Sequence, residues 1–371
     1  MPTRYLPLSA DAHVNEPHNL WYERLPEELR DFAPRRIEQG AEGAWTLVVN
    51  GDRMGWQTIS KEREQELEAE RIGHATPAVR LEMMADDGIA GEVVYPTIGL
   101  YVWDIERGDV GQAACRIYND WILERLSESG GRIKFAGMIP TWDIDDAVRE
   151  IQYIAGRGFA AAMMPLVGTP AWNDPQYEPL WDAISDTGIA VVMHQGTGQG
   201  ATGGGVVYRG PGSPGANILT AQTQAPRTTS LLAGAGVFHR HPEMHVVLVE
   251  VNGGWLAWCM EVLDEFARAN PRWTKPKLPE LPSHYISRHI HCTFQNDPVA
   301  IANLPLTGPR TLMWGNDYPH DEGTYPRSQE VIANLFANVS EQDRRMILTQ
   351  NTADVFGFDQ SVLTTPVEAS S

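Results

Sequence analysis

Four side chains that commonly bind metal ions stand far apart in this sequence, each at the end of an apolar run typical of a strand. Asp11 and His13 close the first run, His194 closes a later one, and Asp317 follows the last. Side chains two residues apart on a strand point to the same side, so Asp11 and His13 share a face. Imidazole and carboxylate together suit a borderline or hard divalent ion. We therefore predict one bound divalent ion, Zn²⁺ in the first place and Mn²⁺ as an alternative.

Each of these residues also has a structural interpretation. A single histidine after an apolar run is more often a hydrogen-bonded residue near the core than a ligand. The prediction of a metal site therefore depends on the four positions taken together.

The composition limits the possible partners. The chain has 371 residues, 42% of them hydrophobic, and a formal charge of −19. This length suffices for one large core, and this acidity disfavours nucleic-acid binding, so we expect a small-molecule substrate. We expect no membrane span and no secretory signal, because the apolar runs are short and the N-terminus lacks a basic and apolar leader. The three cysteines form no CxxC pair, which fits buried thiols in a cytoplasmic protein.

The elements that position these side chains follow from the alternation of apolar strand-like runs with helical periodicity, as at 113–129 and 254–269. Eight β-α units predict an α/β fold, a (β/α)8 TIM barrel, whose active site is built at the carboxyl ends of the strands. The eight predicted strands are 5–13, 91–96, 133–140, 159–165, 189–194, 245–250, 289–294 and 311–316.

A barrel of this type needs about 250 residues, so the chain must carry insertions. We predict one domain over residues 1–358 with long loops at the catalytic face, where such loops form lids or substrate walls. A tail, 359–371, is predicted to be disordered or to rest on a partner. The three assigned insertions are 18–75, 195–217 and 270–284.

Two of these insertions have internal features. In the first, Trp45 to Arg53 predicts a hairpin that turns at Asn50-Gly51. The second begins with a glycine-rich stretch, 195–205, which lacks the Gly-Lys-Ser/Thr ending of a phosphate loop and is predicted to be a lid hinge.

The motifs at these strand ends resemble those of the amidohydrolase superfamily. The chain is similar to its amidohydrolase-related branch, the metal-dependent hydrolases of the aminocarboxymuconate-semialdehyde decarboxylase type. The similarity spans nearly the whole chain and depends on Asp11-Ala12-His13-Val14-Asn15-Glu16-Pro17, His194, Glu250-Val251-Asn252-Gly253-Gly254-Trp255 and Gly315-Asn316-Asp317-Tyr318-Pro319-His320. The resemblance implies that Asp11, His13, His194 and Asp317 are the metal ligands. This chain differs from the family at Glu250, where relatives with decarboxylase activity commonly have a histidine.

Four further residues are candidates at the same mouth. Glu16 would complete the metal shell or hold a ligand from behind. Glu250 would bind metal, accept a proton or anchor its loop. His320 would be catalytic or a packed loop histidine, and His291, if it faces inward near the end of strand seven, would replace the missing histidine as general acid.

The mechanism that this set favours is hydrolysis. A bound divalent ion lowers the pKa of its water, Asp317 moves the proton, and Glu250, His291 or His320 protonates the leaving atom. The bond cleaved would be an amide, ester, lactone or activated carbon–carbon bond of a small molecule. The 12 tryptophans are consistent with a hydrophobic or aromatic substrate.

Two alternatives stay open. One is non-oxidative decarboxylation of an aromatic or enoic acid, with arginines for the carboxylate among Arg53, Arg209, Arg227 and Arg288. The other is a barrel that binds a ligand without catalysis. We also expect the barrel to form homo-oligomers.

Overall fold

The computed structural model describes residues 5–39, 44–63, 65–66, 76–198 and 208–367. Eight parallel strands form one sheet in the order β1-β5-β6-β7-β8-β9-β10-β11, and helices flank it. The predicted (β/α)8 barrel is confirmed, and each of the eight predicted strands matches an observed one. The strands are β1 (Leu8–Val14), β2 (Arg35–Gln39), β3 (Ala44–Val49), β4 (Asp52–Ile59), β5 (Gly91–Pro96), β6 (Ile133–Met138), β7 (Ala161–Pro165), β8 (Ala190–His194), β9 (Val246–Val249), β10 (Ile290–Phe294) and β11 (Leu312–Trp314).

The helices that follow the strands bury one face against the barrel. Helix Ile144–Ala155, for example, begins at Asp143, whose side chain accepts a hydrogen bond from the backbone N–H of Asp146, and buries Ala147, Ile151 and Ile154. The α-helices of the described residues are α1 (Leu20–Arg24), α2 (Pro77–Asp87), α3 (Gly108–Leu126), α4 (Ile144–Ala155), α5 (Glu178–Thr187), α6 (Ser213–Gln222), α7 (Gln224–Gly234), α8 (Val237–Arg240), α9 (Leu256–Ala269), α10 (Pro282–His289), α11 (Pro298–Ala302), α12 (Leu304–Thr307), α13 (Ser328–Leu335), α14 (Glu341–Arg345), α15 (Asn351–Phe356) and α16 (Gln360–Thr364).

The barrel closes where its first strand meets its last. The backbone N–H of His13 donates to the carbonyl of Tyr318 at 2.6 Å, and the N–H of Asp317 donates to the carbonyl of Asp11 at 2.8 Å. A Cβ on Gly315 would lie 2.4 Å from Asp11 Cβ, so only glycine permits this approach. The closure therefore brings the first and last strands of the barrel into direct contact at the predicted site.

The first insertion forms a three-stranded antiparallel sheet, β2-β3-β4, after the carboxyl end of β1. Asn50 and Gly51 both have positive φ, at 55° and 77°, as a tight hairpin turn requires. The predicted hairpin is confirmed.

The other two insertions differ from their prediction. The 195–217 segment includes the start of α6, which sequence periodicity missed, and most of its glycine-rich stretch lies outside the described residues. The 270–284 segment runs from the end of α9 through the start of α10, which precedes β10. It therefore lies at the end of the barrel opposite the carboxyl ends of the strands, not at the catalytic face.

The tail, predicted to be disordered or to rest on a partner, instead packs on this chain's own core as far as residue 367. Helix α16 buries Val362 and Leu363, and the N–H of Leu6 donates to the Leu363 carbonyl at 2.9 Å. Two apolar side chains next to the start of β1 make packing more favourable than disorder. The predicted buried thiols are confirmed, since Cys115, Cys259 and Cys292 are all buried and free.

No helix among the described residues has the length and apolar character needed to cross a membrane.

Candidate metal centre

The four predicted ligands meet at the carboxyl ends of β1, β8 and β11, and all are almost completely buried. His13 Nε2 lies 3.1 Å from His194 Nε2, and 3.6 Å from both Asp11 Oδ1 and Asp317 Oδ1. Ligand atoms of Asp11, His13 and His194 all lie within 4.8 Å of one another. Side chains from opposite ends of the sequence thus converge on one small volume.

The two histidines are held in the tautomer that metal binding requires. His13 Nδ1 donates to the Pro96 carbonyl and His194 Nδ1 donates to the Gln195 carbonyl, each at 2.8 Å. A neutral imidazole that donates through Nδ1 has a lone pair on Nε2. Burial lowers the pKa of each ring to about 3, so both are neutral near pH 7. Two lone pairs therefore face each other across 3.1 Å.

The nearby carboxylates are also incomplete without a cation. Asp11 Oδ1 and Asp317 Oδ2 are buried and accept no hydrogen bond from the described residues. Burial raises the pKa of both carboxyl groups, because an ionised carboxylate away from water is costly. Two opposed imidazole lone pairs beside two unsatisfied carboxylate oxygens fit a divalent ion, which would hold all four as ligands.

Thr293, which the sequence analysis missed, orients one of these carboxylates. Its hydroxyl donates to Asp11 Oδ2 at 3.0 Å and accepts the backbone N–H of Glu250 at 2.7 Å. Gln295 Nε2 donates to the same Asp11 oxygen at 3.5 Å. Thr293 lies at the carboxyl end of β10, two residues after His291, so strand alternation offered a signal that pointed to it.

Arg80 supports the other residue of the first pair. It is fully buried, pairs with Glu92, and donates through Nη1 to the His13 carbonyl at 2.8 Å. The guanidinium thus fixes the backbone that carries the ligand.

Glu250 follows β9 and lies beside the cluster. Its Oε2 is 3.6 Å from His194 Nε2, and it shares a group of possible ligands with Asp317 and Glu322. Burial, and then the negative charges of Asp317 and Asp11, raise the pKa of Glu250 well above its usual value.

His320 also reaches the cluster, as predicted for a residue three positions after Asp317. Its Nδ1 lies 3.0 Å from Asp317 Oδ1, and its ring centroid lies 4.1 Å from that of His13. Burial alone would lower its pKa, but the hydrogen bond and charge of Asp317 raise it overall.

Glu16 does not face the cluster. Its carboxylate accepts the backbone N–H groups of Thr97, Ile98 and Gly99, at 3.2, 2.9 and 2.9 Å. These contacts hold the loop after β5. Pro96, which immediately precedes this loop, accepts the hydrogen bond from His13 through its carbonyl. The expectation that Glu16 completes the metal shell is corrected to an indirect, positioning contact.

His291 is not at this site either. It is the second residue of β10 and therefore lies near the opposite end of the barrel. Its Nδ1 donates to the Arg310 carbonyl at 2.7 Å and its Nε2 lies 3.0 Å from His245 Nδ1. The expectation that His291 serves as general acid is wrong. Its side chain faces inward as predicted, but it lies too far from the carboxyl end of β10 to reach the cluster.

A pocket of about 600 Å³ opens above the cluster, with Glu250 and His320 in its lining. The inserted sheet and the segment after β5 supply apolar walls through Leu47, Ile59 and Leu100. Two arginines line it, Arg36 and Arg63, and the sequence analysis had named neither. The four arginines that it named, Arg53, Arg209, Arg227 and Arg288, are exposed and do not line this pocket.

The backbone at this site adopts uncommon conformations. Glu250, Asn252 and Asp317 have φ of 60°, 56° and 54°, in the left-handed region that residues other than glycine rarely enter. Such conformations cluster at functional sites. Here they belong to the turns that direct Glu250 toward the pocket and Asp317 toward the cluster.

Comparisons with known proteins agree with this geometry. The family model for amidohydrolases matches residues 10–358. A search of curated protein sequences found no match.

Solved structures with the same fold share low sequence identity with the chain. An amidohydrolase from Mycobacterium avium subsp. paratuberculosis K-10 is 18% identical with a TM-score of 0.78, and the match covers 95% of this chain and 100% of that one. The 5-carboxyvanillate decarboxylase of Sphingomonas paucimobilis is 18% identical with a TM-score of 0.71, covering 96% and 100%. A dihydroxybenzoic acid decarboxylase from Polaromonas sp. JS666, solved with manganese and 2-nitroresorcinol, is 16% identical with a TM-score of 0.62, covering 98% and 100%. From the family match over nearly its whole length, the chain belongs to the amidohydrolase family.

Proposed function

We propose that this protein catalyses the metal-dependent, non-oxidative decarboxylation of a small aromatic or enoic carboxylic acid. The observation that carries the proposal is the buried cluster of Asp11, His13, His194 and Asp317 beneath a pocket of about 600 Å³. That volume accommodates a single substituted ring. Similarity to two structures named as decarboxylases, one of them with manganese, supports this reaction over the hydrolysis favoured by sequence alone.

A divalent ion held by these four residues would supply a Lewis acid that polarises an oxygen of the substrate. The metal is proposed as one ion per subunit, and either Mn²⁺ or Zn²⁺ suits two imidazoles and two carboxylates.

The chain's own residues would manage the proton. In decarboxylation, the bond between the carboxylate and its carbon breaks, CO₂ leaves, and the electron pair that stays on carbon takes up a proton. Glu250 and His320 both line the pocket, and each contacts one of the deeper residues, His194 and Asp317 respectively. His320, hydrogen-bonded to Asp317, is placed to hold that proton, and Glu250 is the second donor.

Glu250 had favoured hydrolysis because a second negative charge would repel a carboxylate substrate. Burial and the charges of Asp317 and Asp11 raise the pKa of its carboxyl group, which lessens that objection because a raised pKa favours the uncharged form.

The test uses metal-depleted protein reloaded with Mn²⁺ or Zn²⁺ and offered 5-carboxyvanillate, 2,6-dihydroxybenzoate and related aromatic and enoic acids. We expect one CO₂ per substrate consumed and, in deuterated water, one deuterium at the vacated carbon. Metal-free protein is the control. Turnover that introduces ¹⁸O from labelled water without CO₂ would assign hydrolysis, and stoichiometric metal with no turnover of any acid, ester, amide or lactone would favour a binding protein.

A further inference from the structure

A network of buried polar side chains joins the seam where the barrel closes to two of the outer helices. Its members come from β1, the turn after β11, the last residue of α2 and the region where α13 begins. None exposes more than 6% of its surface, and none lines the pocket above the cluster. Buried polar groups are costly unless they are hydrogen-bonded, so each member needs partners inside the protein. The members are Ser9, Asp87, Asn316, Thr324 and Ser328.

Asp87 is a buried carboxylate held by three hydrogen bonds in this network. Its Oδ2 accepts the Asn316 side-chain amide at 3.2 Å and the Ser328 hydroxyl at 2.5 Å, and its Oδ1 accepts the Ser328 backbone N–H at 3.1 Å. Ser328 is the first residue of α13, where a helix leaves N–H groups unpaired and favours negative charge. The three donors fix the carboxylate between α13 and the seam.

The side-chain amide of Asn316 links Asp87 to the turn after β11. Its Oδ1 accepts the Ser9 hydroxyl at 2.8 Å and the Tyr318 N–H at 3.3 Å, while its Nδ2 donates to Asp87. The same Ser9 hydroxyl also donates to the Asp11 carbonyl at 2.7 Å. An amide has one donor end and one acceptor end, and a carboxylate only accepts. Asp87 therefore determines which end of the amide faces Tyr318.

This turn carries Asp317 in a conformation that needs support. Asp317 has a φ of 54°, and a residue other than glycine stays in that region only where its surroundings hold it. The hydrogen bond from the Tyr318 N–H to Asn316 Oδ1 spans this residue. If the amide turned over, a donor would face the Tyr318 N–H and this bond would be lost. The turn would then no longer hold Asp317 Oδ1 at 3.6 Å from His13 Nε2.

We propose that Asp87 is a positioning residue for the metal centre. It fixes the amide of Asn316, and the fixed amide holds the turn that presents Asp317 to the ion. Asp87 itself belongs neither to the groups of possible ligands nor to the pocket lining. The inference rests on the proposed metal centre, but not on the reaction that this centre catalyses.

An exchange of the two side chains tests this inference in the full chain, with Mn²⁺ affinity measured by competition with a chelator. Asp87→Asn leaves a donor facing a donor, at Asn316 or at the Ser328 N–H, so we expect Mn²⁺ to bind about tenfold more weakly. The double variant Asp87→Asn with Asn316→Asp restores every donor–acceptor pair with the roles exchanged. It should recover an affinity within about threefold of the wild type, because the two positions are coupled.

Two controls separate this role from charge and from general stability. Asn316→Asp alone places two carboxylates against each other and should bind Mn²⁺ more weakly than the exchanged variant, although both carry the same new carboxylate near the ion. Ser328→Ala removes a hydroxyl from the same Asp87 carboxylate but leaves the contact with Asn316. It should lower the urea midpoint of unfolding without weakening Mn²⁺ binding.

Circular dichroism verifies that each variant is folded. If Asp87→Asn does not fold, Asn316→Ala replaces it in the test, since it removes the amide itself and should also weaken Mn²⁺ binding about tenfold. Wild-type affinity in Asp87→Asn or Asn316→Ala would overturn this inference alone. So would an exchanged variant that binds no tighter than Asp87→Asn, or a Ser328→Ala variant that loses Mn²⁺ equally. A wild-type protein that binds no divalent ion would overturn the metal centre as well.

Discussion

Two histidine rings meet through their nitrogens near each end of the barrel. At the carboxyl ends of the strands, His13 Nε2 lies 3.1 Å from His194 Nε2, and near the opposite end His245 Nδ1 lies 3.0 Å from His291 Nε2. In the first pair, both Nδ1 atoms already donate to carbonyl groups, so both facing nitrogens are acceptors. In the second, only His291 is constrained in this way, by the Arg310 carbonyl, and His245 is free to turn a donor toward it.

The comparison shows that proximity of histidines is not the signature of a metal site. The pair near the amino ends of the strands completes a hydrogen bond from within the protein. The pair at the carboxyl ends needs a cation from outside, because each ring already donates its only N–H to a backbone carbonyl. The tautomer fixed by the backbone, more than the distance between the rings, distinguishes the two.

The largest expected effect separates the two pairs by metal content. His13→Ala with His194→Ala should reduce bound divalent metal from about one ion per subunit to a small remainder, since two of four ligands are lost. His245→Gln should retain full metal, because it lies outside the cluster. Elemental analysis of purified protein measures both. Equal metal loss in the two variants would contradict the comparison.

Asp317→Asn should leave the fold intact and reduce turnover by about 10²-fold or more, because it removes a ligand charge and the hydrogen-bond partner that holds the proton on His320. The initial rate of the assigned reaction at saturating metal is the measurement. Near-unchanged turnover with metal still bound would move the proton transfer to another group.

Thr293→Val tests the support beneath the ligands. It keeps the side-chain shape but removes the hydroxyl that orients Asp11 and binds the Glu250 backbone. We expect metal affinity to fall by about 10- to 100-fold, as for other residues that orient a ligand from behind. Thr293→Ser, which keeps the hydroxyl, is the control, and competition with a metal chelator gives the affinities. If Val and Ser variants bind metal equally well, the hydroxyl does not orient the site.

The smallest effect concerns the pair near the amino ends of the strands. Burial, followed by the charge of His245, lowers the pKa of His291 from 6.5 to about 3. Between these values the unfolded chain binds a proton that the folded chain does not, so His291 contributes stability that is lost as pH falls from 6.5 toward 3. His291→Asn should reduce this pH dependence by at most about 1.4 kcal/mol per pH unit. Denaturant unfolding of metal-free protein across this range measures the slope, and an unchanged slope would show that His291 is not buried in the neutral form.

The fold followed from the sequence because barrel strands are short, apolar and regularly separated by helices. The convergence of Asp11, His13, His194 and Asp317 followed as well, since parallel strands bring their carboxyl ends to one side.

Other site residues were misplaced or missed. Alternation along a strand gives the face of a side chain but not its height in the barrel, which is why His291 was misplaced and Thr293 was missed. Glu16 lies past the end of β1, where the chain no longer follows strand geometry and turns its carboxylate toward the loop after β5. Arg36 reaches the pocket through the pairing of an inserted sheet, and no periodicity of the barrel predicts that pairing.

The seam between the first and last strands has a consequence for how the protein acquires its metal during synthesis. Asp11 and Asp317 are joined through neighbouring backbones yet lie roughly 300 residues apart in the chain, so bringing them together closes a very long loop. A ribosome makes Asp11 and His13 roughly 300 residues before Asp317. A growing chain cannot offer the complete set of ligands until β11 has been made, so a metal ion bound at this seam also reports that all eight barrel strands are present.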